Sequence, residues 1–253
     1  MEITPFTLYL LAGLFFIVAF TYSSVGLGGG SSYTALMAIF GLSYLAIPTI
    51  SLLLNIIVTS VGSLNFIRHK HARLRLIIPF FISSIPFSYL GGSLNISRDV
   101  FLWVLLATLI SIALRIYFFK QLAFELNLGP TQKILVSLFS GAVLGMIAGI
   151  AGIGGGIYLI PLILILGLGT EKEAAAAGSI FIWVNSVAGL TARVQYNPVQ
   201  LEEYIPIFVS VLIGGGMGSY LGSSKLAPEI MQKILGLIIL IAIAFLFKTL
   251  ISP

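Results

Sequence analysis

The chain has 253 residues, of which 58% are hydrophobic and only 8% charged, and its mean hydropathy is +1.12. So few charges cannot coat a soluble fold of this length, and the long apolar runs lack the alternation of a membrane β-barrel, which leaves an all-α integral membrane protein. The lack of cysteine excludes disulfides and thiolate metal sites, while the formal charge of +5 gathers in loops, as a topology signal rather than a nucleic-acid surface.

Ten apolar segments are predicted in chain order, at about 6–24, 31–42, 44–67, 76–92, 100–119, 133–151, 157–168, 174–195, 203–222 and 230–250. The first run, Phe6 to Tyr22, has no basic start and no evident cleavage site, so it reads as part of the mature protein rather than as a signal peptide. Between the first and second segments lies SSVGLGGGSSY, residues 23–33; between the sixth and seventh lies AGIAGIGGGIY, residues 148–158. One offset of 126 residues pairs Gly26, Gly28, Gly29 and Gly30 with Gly152, Gly154, Gly155 and Gly156, and pairs Ser60–Leu64 with Ser186–Leu190. With small insertions, SYLG at Ser88–Gly91 finds its copy at Ser219–Gly222. The chain is therefore an internal duplication: a first membrane repeat over residues 1–124 and a second over 125–253, forming one membrane domain.

Loop charge orients the two halves. Arg68–Arg75, RHKHARLR, carries four Lys/Arg and no acid, whereas its counterpart Arg193–Glu203 carries one Arg and two Glu. Basic short loops stay in the cytoplasm, so equivalent loops fall on opposite sides and the expected architecture is two inverted repeats of five helical segments. Residues 31–42 and 157–168 are too short to span, at about 18 Å as helix against a hydrocarbon core of about 30 Å. Each is expected to pair with the longer segment before it, so that each repeat begins with a Gly-broken helical hairpin. Inversion would bring the two hairpin tips toward each other.

Irregular backbone at membrane depth must be buried in protein or line a wet cavity. Glycine permits positive φ and close approach there, and the free N–H groups of a following helix make an anion site without side-chain charge. Broken helices where inverted repeats meet are a recurring transport site. The expected substrate-binding residues are Ser24, Gly28, Gly29, Gly30 and Ser31 in one half-site, and Gly154, Gly155, Gly156 and Ile157 in the other. The competing reading is that these glycines only let helices pack closely. A phosphate-binding P-loop is rejected, because no Lys-Ser/Thr follows either run.

Polar residues inside the other segments are few. Asn55, Thr59 and Ser63 share one helix face, and Asn55, Ser60, Asn185, Ser186 and Arg193 are candidates to line the substrate path. For the Asn and Ser side chains the alternative is interhelical hydrogen bonding; for Arg193 and Arg115 it is snorkelling to the interface. His69 and His71 read as part of a positive-inside loop, with no acid nearby to complete a metal site. The eight acids, Glu2, Asp99, Glu125, Glu171, Glu173, Glu202, Glu203 and Glu229, all fall at termini, loops or segment edges. No membrane carboxylate argues against cation transport, and no nucleophile–base pair or ligand cluster argues for an enzyme or a metal. Small anions or neutral solutes remain, with no cofactor.

The duplicated GLGGG and GIGGGIYLIP turns, the second with Pro161, together with EAAAAGS at Glu173–Ser179 and the five-segment repeat, resemble the TauE/SafE family of sulfite and organosulfonate exporters. The first half departs in having Ser31-Ser32-Tyr33 and no proline where the second has Ile157 to Pro161. The resemblance implies export of a small sulfur-containing anion held between the glycine hairpins. It leaves open the anion and any coupling ion. The reading is a secondary exporter working by alternating access; a passive anion channel and a non-transporting membrane subunit are the alternatives. The expected partners are the small anionic substrate and the lipid bilayer, with no nucleic acid, and a homodimer is left open. A prokaryotic inner membrane is the expected location.

Overall fold

The computed structural model describes residues 5–24, 27–68, 73–118, 128–222 and 228–251. His69, His71, Gly26 and most of the linker before Lys133 lie outside them, as does the side chain of Ser24. Ten α-helices run through the described residues: α1 (Pro5–Ser24), α2 (Gly30–Ile39), α3 (Ala46–Arg68), α4 (Leu74–Ser93), α5 (Arg98–Phe118), α6 (Pro130–Ala151), α7 (Gly156–Ile165), α8 (Glu171–Tyr196), α9 (Ile205–Gly222) and α10 (Pro228–Ile251). Each matches one predicted segment. Five of them, α1, α3, α5, α6 and α8, are long and apolar enough to cross a membrane. The protein is an all-helical multi-pass membrane protein.

Local chemistry sets the ends. Thr170 caps α8: its hydroxyl accepts from the Glu173 N–H at 3.4 Å, while Glu173 Oε2 accepts from the Thr170 N–H at 2.8 Å. The two short helices stop earlier than the apolar pattern suggests, each at ten residues. The reason is the same in both. Gly41 at φ +72° and Gly167 at φ +58° take the left-handed conformation just past the helix end. Leu42 N–H then reaches the Met37 carbonyl and Leu168 N–H the Ile163 carbonyl, both at 3.0 Å, in paired Schellman closures.

Helix pairing is close to unchanged when the two halves are exchanged. α4 packs most extensively on α6, and α1 on α9; α3 packs on α8, and α5 on α10. Small residues make the first two contacts tight. Gly141, Gly145 and Gly149 of α6 meet the Phe80, Ser84 and Ser88 backbone of α4, and a Cβ at Gly145 would run into the Ser84 carbonyl. Gly214 and Gly218 of α9 meet Phe16 and Phe20 of α1, where the Ser210 hydroxyl also donates to the Ala12 carbonyl. At these positions glycine does serve close helix packing. The exchange breaks at the short helices, and neither makes the main contact with the longer helix before it that the hairpin expectation required: α2 packs chiefly on α10 and α3, and α7 on α8. Where α2 packs on α10, α7 meets α5 through Tyr158, whose hydroxyl donates to the Thr108 carbonyl at 2.6 Å. At the polar ends, Arg73 before α4 pairs with Glu173 of α8 at 3.2 Å.

Candidate functional site

The two glycine turns lie against each other beside the middle of α3. Gly29 at φ +103° precedes α2, and Gly155 at φ +74° precedes α7; Gly152 and Gly154 are also left-handed, at +76° and +82°. These are conformations L-residues rarely adopt, so glycine is required at all four. The contact is also tight. A Cβ on Gly30 would sit 2.7 Å from the Ile153 carbonyl oxygen, and one on Gly152 would sit 2.7 Å from Pro48 Cα, the start of α3.

α3 links the turns with two side chains one helical turn apart. The Ser51 hydroxyl donates to the Gly152 carbonyl at 2.7 Å, with the Gly30 carbonyl at 3.4 Å. Asn55 Nδ2 donates to the same Gly152 carbonyl at 3.1 Å. Both side chains are fully buried. Asn55 is thus wedged between the turns: a Cβ on Gly30 would lie 2.6 Å from its Nδ2, and one on Gly28 would lie 2.7 Å from its Oδ1. Thr59 continues this face, its hydroxyl donating back to the Asn55 carbonyl at 2.6 Å, and Ser63 reaches Ser179 of α8 at 3.2 Å.

The first turn opens onto hydroxyls. Tyr22 OH lies 2.8 Å from Ser31 Oγ and 3.0 Å from Ser32 Oγ. The Ser32 and Tyr33 N–H groups donate to the Gly29 carbonyl at 3.0 Å, which leaves the N–H groups of Gly30 and Ser31 without an acceptor inside α2. Around them is a cavity of about 10 Å³ lined by Tyr22, Leu27, Gly28, Gly29, Gly30, Ser31, Ile153, Ile157 and Ile182. That is room for about one water, so in this conformation the turns are closed on each other. Two larger cavities, of about 260 and 220 Å³, lie to either side of Tyr158 and share Leu144 with it. The first lies between α6 and α7, lined by Phe139, Val143 and Leu162; the second lies between α5, α6 and Tyr158 of α7, lined by Thr108, Ser111 and Ile147.

The remaining sequence candidates are placed as follows. Asn185 and Ser186 are fully buried on α8; Asn185 Nδ2 donates to the Phe181 carbonyl at 2.8 Å, and Ser186 Oγ has no partner. Ser88 of α4 donates to the Asn185 carbonyl at 2.7 Å, which places these residues at the α4–α8 interface. Ser60 accepts from Trp183 Nε1 at 2.9 Å and donates to the Ile56 carbonyl. Arg193 is 3% exposed and engages the carboxyl end of α6: Nε and Nη2 donate to the Gly149 carbonyl at 3.1 and 3.0 Å, and Nη2 to the Ile150 carbonyl at 2.7 Å. A cation on the last carbonyls also suits the helix dipole. Ile157 borders the small cavity with an apolar side chain.

Sequence reasoning missed Tyr22, Ser32, Ser51 and Ile182. Ser51 was reachable, since extending the Asn55–Thr59–Ser63 face back by four residues lands on it. Tyr22 and Ile182 sit in apolar runs that give no local sign of their place.

An all-helical multi-pass membrane protein whose two glycine turns, each opening a short helix, meet at one buried point is the class this geometry defines. Residues 11–248 match the family described as Sulfite exporter TauE/SafE. The chain belongs to that family. It is 33% identical over 236 residues to Probable membrane transporter protein y4hK of Sinorhizobium fredii (strain NBRC 101917 / NGR234), covering 92% of this chain and 95% of that one. It is 30% identical over 231 residues to Probable membrane transporter protein MJ0441 of Methanocaldococcus jannaschii, covering 87% and 84%. No solved structure matches the chain.

Proposed function

We propose that this protein is a secondary exporter of a small sulfur-containing oxyanion, sulfite or an organosulfonate, held between the two glycine turns and passed across the membrane by alternating access. The observation that carries the reading is the meeting of the two turns. The unpaired N–H groups of α2 and the Tyr22, Ser31 and Ser32 hydroxyls converge beside the second turn in a buried place with no acidic side chain lining it. Helix pairing that survives exchange of the halves supports inverted repeats rocking about that point. The Arg73–Glu173 ion pair supports the basic loop and the start of α8 lying on one side, taken as cytoplasmic. The family match and the names of the relatives support transport, and their bacterial and archaeal sources support the cell membrane.

A passive channel needs a continuous wet path, and turns closed to about 10 Å³ favour a carrier. With the cytoplasm negative, an exported anion gains about 2.3 kcal/mol per elementary charge per 100 mV, so no coupling carboxylate is needed. Proteoliposome flux of sulfite, taurine and sulfoacetate tests the reading. It stands if flux is saturable and collapses on replacing Gly29 and Gly155 with Leu; unchanged flux in that variant removes the site.

A further inference from the structure

Among the polar groups at the first turn, one has the wrong sense for a bare anion. Asn55 is fully buried and its Oδ1 has no hydrogen-bond partner. Its orientation is fixed, because Nδ2 must face the Gly152 carbonyl to which it donates. Oδ1 therefore turns toward Gly28, which borders the small cavity. Tyr33 OH, also fully buried and unpartnered, lies beside Gly29 on the same turn. A buried acceptor left unpaired is costly, and the Tyr22, Ser31 and Ser32 hydroxyls at this turn bond one another, not this atom.

We infer that the substrate carries a hydrogen-bond donor as well as its anionic group. Its oxyanion end takes the Gly30 and Ser31 N–H groups and the nearby hydroxyls, while its own O–H or N–H donates to Asn55 Oδ1. No Lys or Arg lines the cavity, and Arg193 is committed to the end of α6, so N–H and hydroxyl donors meet the anionic group there. Hydrogensulfite, a hydroxysulfonate and an aminosulfonate share this chemistry; sulfate and plain alkanesulfonates lack the donor.

This inference rests on the proposed function and is tested beside it. Purified wild-type protein in proteoliposomes is given two matched pairs, isethionate against ethanesulfonate and taurine against propanesulfonate, with sulfite flux followed across pH. The donor-bearing member of each pair is expected to move about tenfold or more faster at limiting concentration, because its analogue leaves Oδ1 unpaired. Sulfite flux should fall as rising pH converts hydrogensulfite to the dianion, and preference for only one pair identifies the donor as hydroxyl or ammonium. In N55L the flux ratio within each pair should fall to about one, read on the folded fraction shown by its melting curve; a ratio retained in folded N55L overturns the assignment to Oδ1. Equal flux within both pairs in the wild type overturns the inference and leaves the proposed function standing; no flux of any anion overturns the function itself.

Discussion

The two glycine turns are near copies in backbone and opposites in side-chain chemistry. Both begin their short helix from a left-handed glycine, and both close that helix with the same Schellman motif. Yet the first is followed by Ser31 and Ser32, bonded to Tyr22, where the second is followed by Ile157 and Tyr158. α3 brings Ser51 and Asn55 to the meeting point, while the matching positions of α8 are Ala177 and Phe181, both fully buried in apolar packing with Leu144 and Leu159. The two turns thus share a backbone course, while the polar side chains that reach their meeting point come from α1, α2 and α3. The second half gives carbonyls, an apolar wall and a guanidinium that holds its own helix end.

The sharpest break of that comparison is Gly30→Ala. Its Cβ meets the Ile153 main chain, which cannot swing aside, so flux should drop roughly a hundredfold with a stability loss of about 1–3 kcal/mol. Parallel flux and melting measurements check it; an alanine tolerated there would mean the turns do not touch.

Arg193→Met comes next and tests whether the second half's cation belongs to fold or substrate. Removing it strips the Gly149 and Ile150 carbonyls of their donor, so melting should fall by about 2–3 kcal/mol while the apparent KM for sulfite holds. A raised KM with unchanged melting would assign it to the anion.

Tyr22→Phe and Tyr158→Phe form the matched pair for polarity. Each loses about 1 kcal/mol. Only Tyr22→Phe should raise KM, by several-fold, because its hydroxyl sits with Ser31 and Ser32; Tyr158→Phe frees α7 from the Thr108 carbonyl and should alter turnover alone. The smallest effect is expected for Ser60→Ala. Its hydroxyl serves Trp183 and Ile56 and touches neither turn, so stability should shift by about 0.5 kcal/mol and KM not at all.

Much of the fold was legible because membrane helices announce themselves by length and hydropathy, and each predicted segment became one helix. The ends of α2 and α7 were overrun by about three residues. Their apolar pattern continues past Gly41 and Gly167, and only backbone conformation shows that the helix has already closed. The glycine turns were legible because duplication marked them. The role of Arg193 was not, because a lone arginine near a segment end reads alike whether it snorkels, binds an anion or caps another helix from the side.

Sequence alone determined the membrane class and the ten helices and marked the two glycine runs, since hydropathy and residue pattern are properties of short stretches. Tertiary structure decided which polar atoms face those glycines. Asn55 and Tyr22 lie far from Gly152 and Ile182 along the chain, and it is helix packing across the two halves that sets them around one small cavity. It also decided that the second turn is held by Arg193 and Ser51 from α8 and α3, because a buried carbonyl takes whichever donor the packing brings within reach.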